Sequence, residues 1–187
     1  MMRAISGSCH RAIPKHTEHL FVACLSLLRQ ESRRARHAMH SSTSTLPSVP
    51  PDVQLACQAS LMAFMAHFDA DEFEAMQEWF APDGVWERPD GTLRGMSQLR
   101  AWCEARKGGT IFVRHLLCNL RFEALPQGRV RIHSYVTVYR HDGQSGDARP
   151  APMSGPALVG RYTDDLVLHE GRWKIHHKSV QADFKAR

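Results

Sequence analysis

The sequence predicts an α+β domain, with helices first and a curved antiparallel sheet after them. Three observations carry this reading. Apolar residues recur at three- and four-residue intervals from Val53 to Phe68, apolar and polar residues alternate beyond Gly108-Gly109, and turn chemistry separates the segments. The most economical packing curls the sheet over the helices as a cone-shaped α+β barrel, whose mouth can hold a small ligand.

The elements follow in order. Asp52, just after Pro50-Pro51, is placed to cap the first helix, whose repeating face includes Val53, Leu61, Met65 and Phe68. A second short helix, D-E-F-E-A-M-Q-E-W-F, begins near Asp71 with acids in its first turn, where the helix dipole favours them. It stops at Ala81-Pro82-Asp83-Gly84, a turn signature. V-W-E-R-P then reads as a short strand and P-D-G-T as a hairpin turn. Met96–Ala105 makes a third helix with Leu99, Trp102 and Cys103 on one side. Four strands complete the domain: Thr110–Glu123, Arg129–Tyr139, Leu158–His169 and Trp173–Ala182, with a Gly/Pro-rich loop at His141–Pro156 and a tight E-G-R turn.

At 187 residues the chain suits one domain with a tail: residues 1–51 as a basic, Ser/Pro-rich lead-in and 52–187 as the folded part. The net charge of +5 belongs to the tail. Residues 1–50 hold seven of the 24 basic residues and two of the 19 acidic ones, leaving 17 of each in 51–187. A neutral folded part without a basic stripe excludes a nucleic-acid partner. No apolar run approaches the ~20 residues that cross a bilayer, so no membrane partner is expected. Five scattered cysteines without a C-x-x-C suggest reduced thiols and a cytoplasmic setting. In the tail, the apolar patch Leu20–Leu28 precedes its arginines, the wrong order for a signal peptide. An organelle transit peptide shares this composition; the preferred expectation is that translation begins at Met39.

Two polar residues stand where apolar ones are expected. Asp69 ends the first helical stretch and His115 lies inside a strand-like run, I-F-V-R-H-L-L-C-N-L-R-F. Such groups are costly to bury unless paired. A carboxylate and an imidazole meeting in a pocket make a general base with its orienting partner. The plainer alternatives are a helix-cap carboxylate for Asp69 and a satisfied core histidine for His115. His176-His177 point to opposite faces of a strand and cannot share one ion without distortion, so no metal is expected. Asp164-Asp165 should place one acid in solvent, and Tyr162 with Asp165 reads as a structural pair. On Arg129–Tyr139, alternation separates Val130, Ile132, Ser134, Val136 and Val138 from Arg131, His133, Tyr135, Thr137 and Tyr139, with the apolar set expected inside. Neither G-x-S-x-G nor a phosphate-binding Gly loop is present, which disfavours acyl-enzyme chemistry and nucleotide use.

Four segments resemble the SnoaL-like family of the nuclear-transport-factor-2-like superfamily: F-D-A-D-E-F-E-A-M-Q-E-W-F-A-P-D-G-V-W, G-T-L-R-G-M-S-Q-L-R-A-W, R-H-L-L-C-N and G-R-Y-T-D-D-L-V-L-H-E-G-R-W-K-I. Together they cover almost all of 52–184. The superfamily includes polyketide cyclases, scytalone and bile-acid dehydratases, a dehydrochlorinase, ketosteroid isomerase and small subunits of ring-hydroxylating dioxygenases. The resemblance implies an Asp–His catalytic dyad of Asp69, seventeen residues before Trp86, and His115, four before Asn119. It implies a hydrophobic pocket, with Phe64, Trp86, Trp102, Phe112, Asn119, Tyr135 and His177 as candidate ligand contacts, and pairing into a homodimer. Departures are visible. Phe64 and Met65 stand where dehydratases place a Tyr or Lys, and L-V-L-H lacks the dehydrochlorinase's Arg. The general acid is thus unassigned, with Tyr135, Tyr139, His133 and His177 as candidates.

The function this implies is a cofactor-free lyase or isomerase acting on a hydrophobic small molecule. A ligand-binding module without catalysis, or a structural subunit of a ring-hydroxylating oxygenase, are the alternatives.

Overall fold

The computed structural model describes residues 48–143 and 150–186. Residues 1–47 of the lead-in, with Cys9, Cys24, Leu20–Leu28 and Met39, fall outside these residues, as does the centre of the Gly/Pro loop, whereas Val49 is buried in the core and Pro51 belongs to the first helix.

Helix α1 spans Pro51–Asp69. Pro50 is its N-cap and Pro51 its first residue, a position where proline's missing N–H is no loss. Asp52 therefore lies in the first turn and acts on the helix dipole, not as the cap. Cys57, Ser60, Leu61, Phe64, Met65 and Phe68 form its buried stripe at helical spacing. Asp71, at φ 57°, reverses the chain into the short helix α2, Phe73–Gln77, which buries Phe73 and Met76. Helix α3, Gly95–Arg106, buries Leu99 and Cys103.

Six strands form one open sheet in the order β2-β1-β6-β5-β4-β3. They are β1 Phe80–Arg88, β2 Gly91–Arg94, β3 Ile111–Ala124, β4 Val130–Asp142, β5 Leu158–His169 and β6 Arg172–Lys185. All neighbours are antiparallel except β1 and β6, which run parallel, so the sheet is mixed. The turn expected at Ala81-Pro82-Asp83-Gly84 is instead an irregularity inside β1, where the register against β6 shifts between Phe80 and Val85. Gly84 is needed there, since a Cβ would stand 2.6 Å from Cε1 of the Phe80 ring. The β5–β6 hairpin turns through Glu170 and Gly171, both at positive φ, the geometry that suits a tight hairpin.

The inner sheet face packs on the helices around Leu61, Phe64, Phe80, Ile132, Val136, Leu166 and Ile175, all fully buried. Val130, Ile132, Ser134 and Val136 of β4 point inward, and Tyr135 is 51% exposed on the outer face. The result is an α+β cone-like domain. No helix among the described residues is long and apolar enough to cross a membrane.

Candidate active site

Asp69 is the last residue of α1, and its main-chain oxygen accepts a hydrogen bond from Arg114 Nη1 at 2.6 Å. Its side chain reaches β3 and spends both oxygens on one residue. Oδ2 accepts the backbone N–H of His115 at 2.8 Å, and Oδ1 lies 2.6 Å from His115 Nδ1. The side chains are 12% and 8% exposed. An ionised Asp69 accepts only, so Nδ1 carries the proton and the neutral ring keeps its lone pair on Nε2. Among the described residues, Nε2 has no hydrogen-bond partner.

Rings enclose the pair. Phe68 meets the His115 ring edge-on at 5.2 Å and stacks on Trp102 at 5.7 Å. Trp86 stands 5.4 Å from both Trp102 and Phe64. Tyr162, on the inner face of β5, lies 6.4 Å from the His115 ring. Burial, reinforced by the carboxylates of Asp164 and Asp69, pushes the Tyr162 pKa above the ordinary phenol value. Beyond Tyr162 sits a sealed ion pair: Lys178 Nζ is 2.9 Å from Asp164 Oδ1 and 3.7 Å from the Tyr162 ring centre, with both side chains 0% exposed. Burial drives the Asp164 pKa up and the Lys178 pKa down.

Two guanidinium groups cover Trp102. Arg88 is 4.2 Å from its ring and Arg106 is 5.7 Å away, with Arg106 also 5.4 Å from Phe68. A cavity of about 170 Å³ opens beside them, lined by Asp71, Trp102, Ala105, Arg106, Gly109 and Ile111.

Of the residues singled out in the sequence, Asp69, His115, Phe64, Trp86 and Trp102 thus gather inside. Phe112 does not join them. It lies on the other face of β3, 4.3 Å from the Arg114 guanidinium. Asn119 sits in a β3 irregularity at φ 54° and, with Tyr135 and His133, lines a depression of about 580 Å³ that also takes in Glu87, Arg161 and Gln181. His177 is 3.3 Å from Glu87 on that outer face, and His133 is 3.2 Å from Glu123. Two expectations need correction. Neither Asp164 nor Asp165 is in solvent: Asp164 faces inward to Lys178, and Asp165 is buried under a two-pronged contact from Arg131 at 2.6 and 2.8 Å. Tyr162 and Asp165, three apart on a strand, therefore face opposite sides and do not pair.

Sequence reasoning gave Tyr162 only a structural role and passed over Lys178, Arg88 and Arg106. The alternation Tyr162, Asp164, Leu166 held a signal that Tyr162 points inward. Nothing local marks Lys178 or the arginines. Among the described residues, no group of three His, Cys, Asp or Glu side chains could hold a metal ion.

Solved structures share this fold at low identity. A proposed scytalone dehydratase from Novosphingobium aromaticivorans is 18% identical, with a TM-score of 0.57 over 72% of this chain and 89% of its own. ActVI-ORFA from Streptomyces coelicolor is 20% identical, with a TM-score of 0.54 over 67% of this chain and 96% of its own. The beta subunit of a proposed aromatic-ring-hydroxylating dioxygenase from N. aromaticivorans is 16% identical, with a TM-score of 0.58 over 71% and 90%. At such identities the likeness speaks to fold alone. No curated protein matches the sequence. The SnoaL-like domain matches residues 52–179, and the chain belongs to that family.

Proposed function

We propose that this domain is a cofactor-independent lyase or isomerase of dehydratase or cyclase type, acting on a hydrophobic small molecule. The observation that carries the reading is the grip of Asp69 on His115, which uses both carboxylate oxygens and leaves Nε2 unbonded. Nε2 removes a proton made acidic by a neighbouring carbonyl, and Asp69 holds the ring and stabilises its cationic form. In a dehydration, the C–H electron pair becomes the new double bond as the hydroxyl departs, and the proton on Nε2 completes the departing water. Tyr162, held protonated by its surroundings, hydrogen-bonds the substrate oxygen on which charge develops. Such proton transfer needs no group beyond these side chains. The protein works as a homodimer paired through the outer sheet face, where Leu116 is 54% and Tyr135 51% exposed.

The test is His115→Gln in a turnover screen of hydrophobic carbonyl compounds. Loss of turnover in a variant that still folds is expected, and unchanged turnover overturns the proposal. One observation favours a second reading, a non-catalytic oxygenase subunit. The cavity beside Trp102, at about 170 Å³, is below the roughly 300 Å³ at which ligand pockets usually begin. That reading expects co-purification with a larger iron-containing chain and no turnover in any variant.

A further inference from the structure

Strand β3 ends the sheet order, so one side of its backbone has no neighbouring strand among the described residues. The N–H and C=O groups on such an edge need some other partner. In an antiparallel pairing, residues two apart send these groups to the same side. His115 gives its N–H to Asp69 Oδ2 and not to β4, so the carbonyl of Val113 also lies on the free edge.

The C-terminus of α1 meets that edge. A helix leaves its last four carbonyls to be satisfied from outside its own repeat, and in α1 these belong to Ala66, His67, Phe68 and Asp69. The first three accept the N–H groups of Ala70, Glu72 and Asp71 at 3.0, 2.9 and 3.2 Å. The Asp69 carbonyl is left over, facing an edge that offers the carbonyl of Val113. Two acceptors cannot bond each other. Nη1 of Arg114 carries two N–H groups and bridges them, 2.6 Å from the Asp69 oxygen and 2.7 Å from the Val113 oxygen. Phe112, two residues back on the same face of β3, supports the guanidinium 4.3 Å from its ring. One side chain therefore ties the backbone that carries the Asp69 carboxylate to the strand immediately before His115.

We infer that Arg114 is a positioning residue for the dyad, with Phe112 as its support: it pins the main chain of Asp69 to β3, so that the carboxylate reaches both the backbone N–H and Nδ1 of His115. This rests on the reading of Asp69 and His115 as the catalytic pair. Arg114 is exposed to water, where such bonds contribute little to stability, so its loss should disturb the dyad far more than the fold.

The experiment follows the His115 Nδ1 proton of the full chain by NMR, assigned by its absence in His115→Gln, together with kcat, KM and melting temperature. Arg114→Ala should speed exchange of that proton with water about tenfold and lower kcat roughly 10- to 100-fold, with KM and melting temperature nearly unchanged. Arg114→Lys, whose ammonium also donates to two acceptors, should restore most of both losses. Phe112→Ala should show smaller changes of the same kind, and should add nothing when combined with Arg114→Ala. An unaltered Nδ1 proton in Arg114→Ala overturns the inference, and so does a melting temperature that falls in step with kcat. If Arg114→Ala does not fold, Phe112→Ala decides: an Nδ1 proton that exchanges no faster than in wild type overturns the inference. If wild type turns over no compound, the lyase reading fails, and the Nδ1 proton of Arg114→Ala still judges the clamp.

Discussion

Two acid–base pairs lie against the inner face of the sheet, both close to the Tyr162 ring, and they are built on opposite principles. In Asp69–His115, the carboxylate is saturated by one partner and the base keeps an unbonded nitrogen. In Asp164–Lys178, the base is sealed against the Tyr162 ring, and the carboxylate is left with an unbonded oxygen, Oδ2. The first arrangement fixes a proton on Nδ1 and offers an acceptor on Nε2. The second has nothing to offer a ligand, because both side chains are out of reach of solvent. Proximity of acid and base is therefore not what marks a site; the free valence and its side of the pair do.

The largest effect is expected when the sealed pair is halved. Lys178→Ala strands a buried carboxylate and should lower unfolding free energy by about 3–5 kcal/mol. Replacing both partners, Asp164→Leu with Lys178→Met, should recover most of that loss in urea denaturation. A tolerated Lys178→Ala would mean that water reaches Asp164 and that the contrast between the pairs is false. Next comes Asp69→Asn, which removes the acceptor that fixes the His115 tautomer. Turnover should fall roughly 10³-fold with little change in melting temperature. An equal loss of rate and stability would place Asp69–His115 with the structural pair. Tyr162→Phe keeps the ring under Lys178 and removes only the hydroxyl. It should slow turnover about 10²-fold at unchanged stability, and an unaltered rate would remove Tyr162 from the mechanism.

The smallest effect is in alkali. Tyr162 titrates higher folded than its ordinary 10.0, and the buried thiols of Cys103 and Cys57 are pushed from 9.0 to about 11 and about 12. For a raised pKa the stabilisation is complete below the unfolded value and lost as pH rises toward the folded one. Urea midpoints should therefore hold to about pH 9 and decline above it, and Tyr162→Phe should soften the decline above pH 10. A flat profile would mean that these groups are not desolvated.

Much of this architecture was legible because burial imposes a period. The α1 stripe from Cys57 to Phe68 and the alternation along β4 are direct imprints of a face turned to the core. Ala81-Pro82-Asp83-Gly84 misled because Pro-Asp-Gly is turn chemistry locally. Pairing of β1 with β6 held those residues in a strand, and no local signal reports a partner so distant in sequence. The meeting of Asp69 and His115 came from family resemblance, since spacing alone does not bring a helix end to a particular strand residue. Lys178 was illegible for a different reason: a lysine on a strand reads as solvent-facing, and only Asp164 opposite it makes an inward position tolerable. Register shifts at Cys118/Arg121 and Asp165/Leu166 further scrambled which residues of β3 and β6 share a face.

The parallel pairing of β1 and β6 has a consequence for how the chain folds. Phe80 pairs with Ile175, and Trp86 with Lys178. Trp86, a wall of the site, therefore has no hydrogen-bonded neighbour on that side until β6 has been synthesised. Helices α1–α3 and the β3–β4 hairpin can collapse early on local contacts, but closing the sheet requires a loop spanning most of the domain. Such non-local closure is slow. The emerging chain should hold an unpaired, aromatic-rich β1 edge throughout that interval, making this the stage at which chaperones would matter most.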